Sequence, residues 1–377
     1  MKYISTRDNS KDFSFEEVFI KGLADDGGLF IPRSIKRYNT NEIKILSTLS
    51  YQDLAKKIIF PFIGDFMTEN EFSKIIEKSY STFRKDNTVD LIKIGETNIL
   101  ELFHGPTLAF KDIAMQLLGN LYEYYLSKNN NSLNIVVATS GDTGAAAINA
   151  IKGKNRMNII VLHPHNKVSY VQRKLMSTVK EKNVFNIAIE GNFDDCQNLV
   201  KSMFADKEFS NSINMSGVNS INWARIISQA VYYFYSYFLI TKNEQVNFSV
   251  PTGNFGDVYA GYLSKKMGLP INKLIVATNQ NDILHRAISS GKYVAETVLE
   301  TISPSMDIQI ASNFERLIYD LNNFDDIETK NVMAKIKEDG KYLISEEKLK
   351  KIQKNFLSEN MNEFEVLETI KNVYEKY

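Results

Sequence analysis

The chain of 377 residues is long enough for two domains of ordinary size, or for one large α/β unit with an appendage, and it can bury a substantial core. Lysines plus arginines and aspartates plus glutamates each number 45, so the net charge of zero gives no electrostatic reason to expect a nucleic acid or an anionic membrane as the main partner. The only cysteine, Cys196, excludes an internal disulfide and a metal site built from several cysteines, and we expect it to be a small buried apolar side chain.

The first part of the chain, up to about Val89, has apolar residues at three- and four-residue spacing with charges between them, a pattern that predicts helices. A short apolar run at residues 29–31 lies between two glycines and a proline and predicts a turn-bounded strand. The N-terminal residues lack the apolar run of a signal peptide. We therefore expect a mainly helical N-terminal domain over residues 1–90.

From about Leu91, short β-rich segments alternate with longer helical patterns, which predicts βαβ units and a parallel sheet covered by helices on both faces. The predicted strands are residues 134–139, 158–162, 186–189, 247–250 and 273–278. This α/β region is expected to span residues 91–310, with a smaller subdomain at 131–214. The charged remainder, 311–377, is expected to be helical and free of strands.

The most apolar stretch, residues 230–240, is shorter than the roughly 20 residues that a membrane-spanning helix requires. Its run of tyrosines and phenylalanine predicts a buried helix instead. We therefore expect a soluble, cytoplasmic protein that does not bind membranes.

Two glycine-containing turns follow predicted strands, where ligands of open α/β sheets bind. The first, residues 139–144, contains Ser140 and Thr143, whose hydroxyl groups would add to the free N–H groups of the helix that follows. The second, residues 251–257, has two glycines, Gly253 and Gly256, around which successive N–H groups would form an anion-binding nest. Neither matches a Walker A loop or a dinucleotide fingerprint, and ordinary tight turns are the alternative interpretation.

A third cluster, residues 219–225, begins the aromatic helix. Ser220 is the expected N-cap, and Arg225 follows about one turn later, where its guanidinium would suit a phosphate. Spacing alone favours a simpler interpretation, a helix cap and a surface arginine.

Lys111 stands at the start of an apolar segment, where partial burial would lower the pKa of its amine and favour the neutral form needed for Schiff-base chemistry. Residue type and spacing leave a solvated surface role open. The residues alone therefore predict an anion-binding α/β protein with a candidate reactive lysine, and they predict no metal site.

Long motifs in this order resemble those of threonine synthase, of the larger-subunit type in the tryptophan-synthase-β-like class of pyridoxal-phosphate enzymes. The resemblance rests on His104–Asp112, Ser140–Gly144 and Pro251–Asp257, and on an N-terminal segment formed by Lys21–Leu23 and Gly27–Pro32. It runs from about residue 3 to about residue 310. It implies fold type II, with parallel or mixed sheets flanked by helices in two subdomains.

The resemblance also implies an activity, the conversion of O-phospho-L-homoserine and water to L-threonine and phosphate. By the match, Lys111 holds pyridoxal 5'-phosphate covalently and later moves protons at Cα and Cβ of the substrate, while the cofactor is the electron sink. The protein is then expected to be a monomer or a small homo-oligomer whose partner is this small substrate.

The match assigns binding roles residue by residue. The loop that holds the cofactor phosphate is Gly253, Asn254, Phe255 and Gly256, and Asp142 lies at the cofactor ring. Many members of the wider class have asparagine at the position of Asp142, contacting the cofactor hydroxyl, whereas aspartate is usual in threonine synthases. The substrate-binding positions are Ser140, Thr143, Ser220 and Arg225, with Lys167 and Ser169 as weaker matches.

One departure from the family concerns the C-terminal segment, which in threonine synthases carries an Ala-His-Pro-Ala-Lys-Phe-like motif near the residue facing the pyridine nitrogen. The present sequence has no counterpart of that motif. We therefore expect a form without that segment. Two alternatives accompany the main hypothesis: a phospho-lyase of the same fold that leaves a 2-oxo acid, and a non-catalytic protein that binds the cofactor or a phosphorylated amino acid.

Overall fold

The computed structural model of the chain describes residues 1–218, 220–241 and 243–377, with every side chain in them except that of residue 194. Residue 219, the first of the predicted cluster 219–225, lies outside this description. The elements below are numbered in chain order.

The N-terminal part combines a two-stranded antiparallel ribbon with four α-helices and a 3-10 helix. These elements are β1 (Tyr3–Ser5), α1 (Phe15–Lys21), β2 (Phe30–Pro32), α2 (Thr40–Leu46), α3 (Tyr51–Ile63), the 3-10 helix Gly64–Phe66 and α4 (Glu69–Tyr80). Ser14, Asn39 and Thr68 begin three of the helices with reciprocal capping boxes, each closed by a glutamate three residues later. The predicted helices and the strand near residues 29–31 are therefore confirmed.

A hairpin and a long helix lead into the α/β region. The hairpin consists of β3 (Asp90–Ile94) and β4 (Thr97–Glu101), and the helix is α5 (Lys111–Lys128). The antiparallel hairpin was not among the predicted strands.

The first parallel sheet has the strand order β7-β6-β5-β8. Its strands are β5 (Leu133–Ala138), β6 (Met157–Pro164), β7 (Val184–Ile189) and β8 (Met215–Ser216). The connecting helices are α6 (Asp142–Ile151), α7 (Tyr170–Ser177), α8 (Phe193–Ala205) and α9 (Lys207–Ser212). Three of these four strands coincide with predicted ones, and only the two-residue β8 was missed. Cys196 is fully buried between this sheet and α8, as expected.

The second parallel sheet has the order β13-β10-β9. Its strands are β9 (Val246–Pro251), β10 (Ile271–Thr278) and β13 (Phe356–Asn360). A separate two-stranded antiparallel sheet is formed by β11 (Lys292–Val294) and β12 (Lys341–Leu343). The helices are α10 (Trp223–Ile240), α11 (Gly256–Lys266), α12 (Ile283–Ser290), α13 (Phe314–Leu321), α14 (Asp326–Asp339), α15 (Glu346–Asn355) and α16 (Glu363–Lys376), with a 3-10 helix at Pro304–Met306.

The expectation of no strands after residue 310 is wrong, because both β12 and β13 lie there. β13 pairs in parallel with β10, placing Phe356 beside Leu274. Phe356 is fully buried against Phe255, whereas the other four residues of the strand are exposed or half-buried. Such a strand has too little local β pattern to be recognised, and its partner decides its conformation.

Helix α10 forms the centre of the core. Every side chain from Trp223 to Tyr237 is buried, and the helix packs on α3, α5 and α11. The buried helix predicted at residues 230–240 is thus confirmed except at its exposed end, Leu239. Among the described residues, no helix combines the length and apolarity needed to cross a membrane.

Candidate active site

Lys111 is the first residue of α5, and the turn before it is fixed by a buried carboxylate. Asp112 accepts hydrogen bonds from the backbone N–H and the hydroxyl of Thr107, both at 2.7 Å. Gly105 packs against this carboxylate so closely that a Cβ there would lie 2.5 Å from Asp112. An anion in the first turn also suits the positive end of the helix dipole. These contacts aim Lys111 inward.

The Lys111 side chain is only 12% exposed, and its Nζ lies 3.2 Å from Oδ2 of Asp142. Burial lowers the pKa of the amine below its ordinary value, against the opposing effect of Asp142, and the positive charge of Arg225 lowers it further. The surface role that spacing alone left open is therefore wrong.

Asp142, the first residue of α6, receives two further side chains. Ser305 donates to Oδ2 at 3.0 Å, and Gln172 of α7 donates to Oδ1. Burial alone would raise the pKa of Asp142, but the charge of Lys111 and the hydrogen bonds from Gln172, Lys111 and Ser305 outweigh it and hold the pKa below its usual value. The carboxylate thus stays ionised beside the amine.

The turn at residues 139–144 is held by Thr139, whose hydroxyl oxygen accepts the N–H groups of Gly141 and Gly144 at 3.0 and 2.9 Å. Gly141 has φ of 146° and leaves no room for a Cβ, which would lie 2.2 Å from Gln172. Ser140 and Thr143 are half-buried at the mouth of this turn. Ser140 lies two residues before α6, and Thr143 is the second residue of that helix, directly after Asp142.

The turn at residues 251–257 is shaped by Phe255, which has φ of 62° and is fully buried 5.2 Å from the ring of Phe314. A Cβ at Gly253 would lie 3.0 Å from the carbonyl oxygen of Ser305, and one at Gly256 would lie 3.2 Å from Nδ2 of Asn313. This close approach leaves little room for a side chain at Gly253, and one at Gly256 would require Asn313 to shift slightly. The N–H groups at the start of α11 are what an anion needs.

In the segment before α10, the predicted N-cap is wrong. Asn222, not Ser220, is the N-cap, because its Oδ1 accepts the N–H of Ala224 at 3.0 Å. Ser220 is half-buried two residues earlier. Serine and asparagine cap helices equally well, so the sequence could not choose between them.

Arg225 is buried, 4% exposed, and is not the surface arginine of the simpler interpretation. Its Nη1 donates to the carbonyl of Val218 at 3.0 Å, while its buried Nε has no partner among the described residues. Burial lowers the pKa of the guanidinium to about 10, which still leaves it charged at neutral pH. A buried donor without an acceptor is costly, and an anion bound at this Nε would satisfy it.

Lys167 and Ser169 lie at the rim. Lys167 is exposed, and among the described residues no hydrogen bond or ion pair joins it to Lys111 or Asp142. Ser169 is the N-cap of α7 and donates to Oε1 of Gln172 at 2.9 Å. Of these two weaker predictions, only Ser169 is connected to the Lys111 cluster.

Arg316 of α13 is a buried residue of the site that sequence reasoning missed. Its guanidinium donates to the carbonyl of Phe30 at 3.0 Å, to that of Ile221 at 2.6 Å, and to Oδ1 of Asn313. No spacing signal marks it, because its two backbone acceptors lie 286 and 95 residues away.

Asn313, which accepts a hydrogen bond from Arg316, itself donates hydrogen bonds to both loops. It is fully buried, and its Nδ2 donates to the carbonyl of Asn254 at 3.1 Å and to that of Ser220 at 3.3 Å. The carbonyls of the two loops therefore face Asn313 and Arg316. One pair of side chains holds the loop at residues 251–257 and the segment before α10 in a fixed relation.

Replacing Arg316 with methionine is expected to lower the free energy of unfolding by roughly 2–3 kcal/mol, because buried acceptors lose their donor. Urea denaturation would measure the change. Arg33→Met is the matched control, since Arg33 is 43% exposed in an ion pair with Asp12 and should matter by less than about 1 kcal/mol. Equal destabilisation by the two changes would contradict the supporting role of Arg316.

A separate group of possible metal ligands consists of Asp90, Glu101 and His104, whose ligand atoms lie within 4.8 Å of one another. Lys85 pairs with Asp90 at 2.9 Å, and His104 contacts Glu101 at 2.9 Å. These groups satisfy one another, and we assign them no ligand.

Pyridoxal phosphate fits the site. Burial of Lys111 favours the neutral amine that an aldehyde requires. The N–H groups at the start of α11, in the turn that contains Gly253 and Gly256, would suit a phosphate, and the unpartnered Nε of Arg225 would suit a second anion. The fold and this site define a pyridoxal-phosphate-dependent enzyme of fold type II.

The family described as "Pyridoxal-phosphate dependent enzyme" matches residues 100–345, and that described as "Threonine synthase N terminus" matches residues 2–80. The chain belongs to the threonine synthase family.

Similar proteins cover nearly the whole chain. The threonine synthase of Pseudomonas aeruginosa is 46% identical over 376 residues, which are 99% of this chain and 80% of that protein. The threonine synthase of Saccharomyces cerevisiae is 45% identical, over 99% of this chain and 78% of that protein. The similarity thus extends well beyond residue 310, which is about where the resemblance judged from the motifs ends.

Solved structures agree with this membership. The crystal structure of pyridoxal-phosphate-bound threonine synthase from Brucella melitensis has a TM-score of 0.96 and 45% identity, and covers 100% of this chain and 82% of its own. Yeast threonine synthase has a TM-score of 0.94 and 44% identity, covering 99% and 79%. The expected fold type II is therefore confirmed.

Proposed function

We propose that this chain is a threonine synthase that converts O-phospho-L-homoserine and water to L-threonine and phosphate with pyridoxal phosphate. The observation that carries the proposal is that a buried amine, Lys111, lies within electrostatic reach of a buried guanidinium, Arg225, whose Nε has no partner among the described residues. A phosphorylated amino acid has the matching groups, an α-amine to react at the cofactor and a phosphate to bind the guanidinium.

In the proposed reaction, the bound cofactor supplies an electron sink for the substrate. Lys111 would hold the cofactor, and its amine would move protons at Cα and Cβ of the bound substrate. Burial lowers the pKa of the Lys111 amine, which favours the neutral form that a base requires. Asp142 keeps the amine oriented.

The two phosphates are assigned to different loops. Gly253, Asn254, Phe255 and Gly256 would hold the cofactor phosphate through the N–H groups at the start of α11. Arg225 would bind the phosphate of the substrate, in line with its burial and its unpartnered Nε.

Smaller polar groups complete the proposed substrate site. Ser220 would add a hydroxyl donor beside Arg225, and Ser140 and Thr143 would face the substrate and the cofactor ring from the start of α6. Lys167 and Ser169 would contribute at the rim, Lys167 as a flexible exposed cation. We further propose a cytoplasmic enzyme that works as a monomer or a small homo-oligomer.

Product analysis tests the proposed reaction. The purified protein loaded with pyridoxal phosphate is incubated with O-phospho-L-homoserine, and we expect threonine and inorganic phosphate in equal amounts. Appearance of 2-oxobutyrate and ammonia in place of threonine would support the phospho-lyase alternative instead. Binding of cofactor and inorganic phosphate without any turnover would support a non-catalytic role.

A further inference from the structure

We propose that Ser305 and Gln172 are positioning residues that hold the carboxylate of Asp142 against the amine of Lys111. The inference rests on the proposed function, because it concerns how the amine is kept ready for proton transfer. Neither residue belongs to the motifs that identify the family in the sequence.

The two side chains fix both oxygens of Asp142. Oδ2 accepts from Lys111 at 3.2 Å and from Ser305 at 3.0 Å, while Oδ1 accepts from Gln172. An aspartate in the first turn of a helix ordinarily turns to its own backbone N–H groups. Here Ser305 and Gln172 hold the carboxylate toward the lysine.

Ser305 reaches Asp142 from the segment 299–308, which we term the strap. The carboxylate of Asp307 organises it by accepting from Asn279 at 2.8 Å, from Asn281 at 3.0 Å and from the hydroxyl of Thr301 at 2.7 Å. The strap is thus tied to the carboxyl end of β10. It places Ser305 with little freedom.

The strap also covers the second glycine turn. The carbonyl oxygen of Ser305 would lie 3.0 Å from a Cβ at Gly253, and Cδ1 of Ile308 would lie 2.9 Å from it. One residue, Ser305, therefore touches the proposed phosphate loop with its backbone and the lysine partner with its side chain.

Gln172 approaches Asp142 from the opposite element, α7. Its Oε1 accepts from the hydroxyl of Ser169 at 2.9 Å, and its Nε2 donates to Asp142. A carboxylate only accepts, so this orientation of the amide is the one that satisfies both neighbours. Gln172 also occupies the space beside Gly141, where the φ of 146° favours glycine.

Holding Asp142 matters because two effects oppose each other at Lys111. Burial favours the neutral amine, whereas the carboxylate favours the protonated one. The other charged groups acting on this amine are Arg225 of α10, which lowers its pKa, and Asp112 of its own helix, which raises it. If Asp142 is released, burial and Arg225 prevail, and protonation of the lysine nitrogen requires a lower pH.

The test is a pH titration of the visible absorbance of the cofactor-loaded protein, which reports protonation of the Lys111 nitrogen in its link to the cofactor. In Ser305→Ala, and separately in Gln172→Ala, we expect the midpoint to move down by about 0.5–1 pH unit, the equivalent of one lost hydrogen bond. Where the protein turns over, kcat should fall more than KM changes, and the acid limb of its pH profile should move the same way.

Two matched variants separate positioning from loosening of the strap. Ser305→Thr retains the hydroxyl group and should keep the wild-type midpoint. Ser303→Ala removes a hydroxyl that contacts Asn279 rather than Asp142, and should leave the midpoint unchanged. An unshifted midpoint in both Ser305→Ala and Gln172→Ala, or an equal shift in Ser303→Ala, overturns the proposal. The titration needs no turnover, so failure of the proposed reaction would be seen separately.

Discussion

Replacing Lys111 with alanine is expected to remove covalent attachment of pyridoxal phosphate. It should also lower turnover by roughly 10³-fold, a typical contribution of a general acid–base group. The physical reason is that Lys111 is the buried amine of the site, 3.2 Å from its carboxylate partner. Visible absorbance of the loaded protein and the rate of threonine formation would measure the two effects.

Lys128→Ala is the matched control, since Lys128 lies at the exposed end of the same helix. It should keep both the absorbance and the rate. If Lys111→Ala retained the visible absorbance of a covalent link, the cofactor would be carried elsewhere and the assignment would be wrong.

Replacing Arg225 with alanine is expected to weaken binding of the substrate phosphate by about 10²–10³-fold. Removal of one partner from a buried charged pair costs roughly 3–5 kcal/mol, and each 1.4 kcal/mol corresponds to a factor of ten. The change should appear in KM for O-phospho-L-homoserine and in the inhibition constant of inorganic phosphate. Retention of the cofactor should change far less, because the start of α11, not Arg225, is assigned to its phosphate.

The Arg225→Lys variant separates the effect of the positive charge from that of the guanidinium geometry. Lysine keeps the charge but loses the planar fork, so we expect an intermediate loss of substrate affinity. Equal losses of cofactor and substrate affinity in Arg225→Ala would contradict a role confined to the substrate phosphate.

The strands and turns of the first sheet could be predicted from the sequence because their signals are local. β5 and β6 are short apolar runs, and a glycine turn follows β5 directly. The same holds for the turn after β9. Ligands of α/β sheets bind beyond the carboxyl ends of parallel strands, so these two turns, one in each sheet, indicated candidate site residues.

The support around the site could not be predicted, because it exists only after folding. Ser305 and Asp142 are 163 residues apart, and neither spacing nor composition connects them. Arg316 looks like an ordinary charge on an amphipathic helix, yet it is buried with its guanidinium on backbone carbonyls. Strand β13 was missed for the same reason, since only its pairing with β10 makes it a strand.

Some assignments stay predictions. The division into residues 1–90, 91–310 and 311–377 stays a prediction, as do the individual roles given to the site residues.

The central claim is that Lys111 carries pyridoxal phosphate. Borohydride reduction of the cofactor-loaded protein, followed by proteolysis and mass spectrometry, tests it directly. We expect a pyridoxyl-phosphate adduct on the peptide that contains Lys111 and on no other lysine. A stoichiometric adduct at a different lysine, or none with the cofactor present at saturation, would contradict the account.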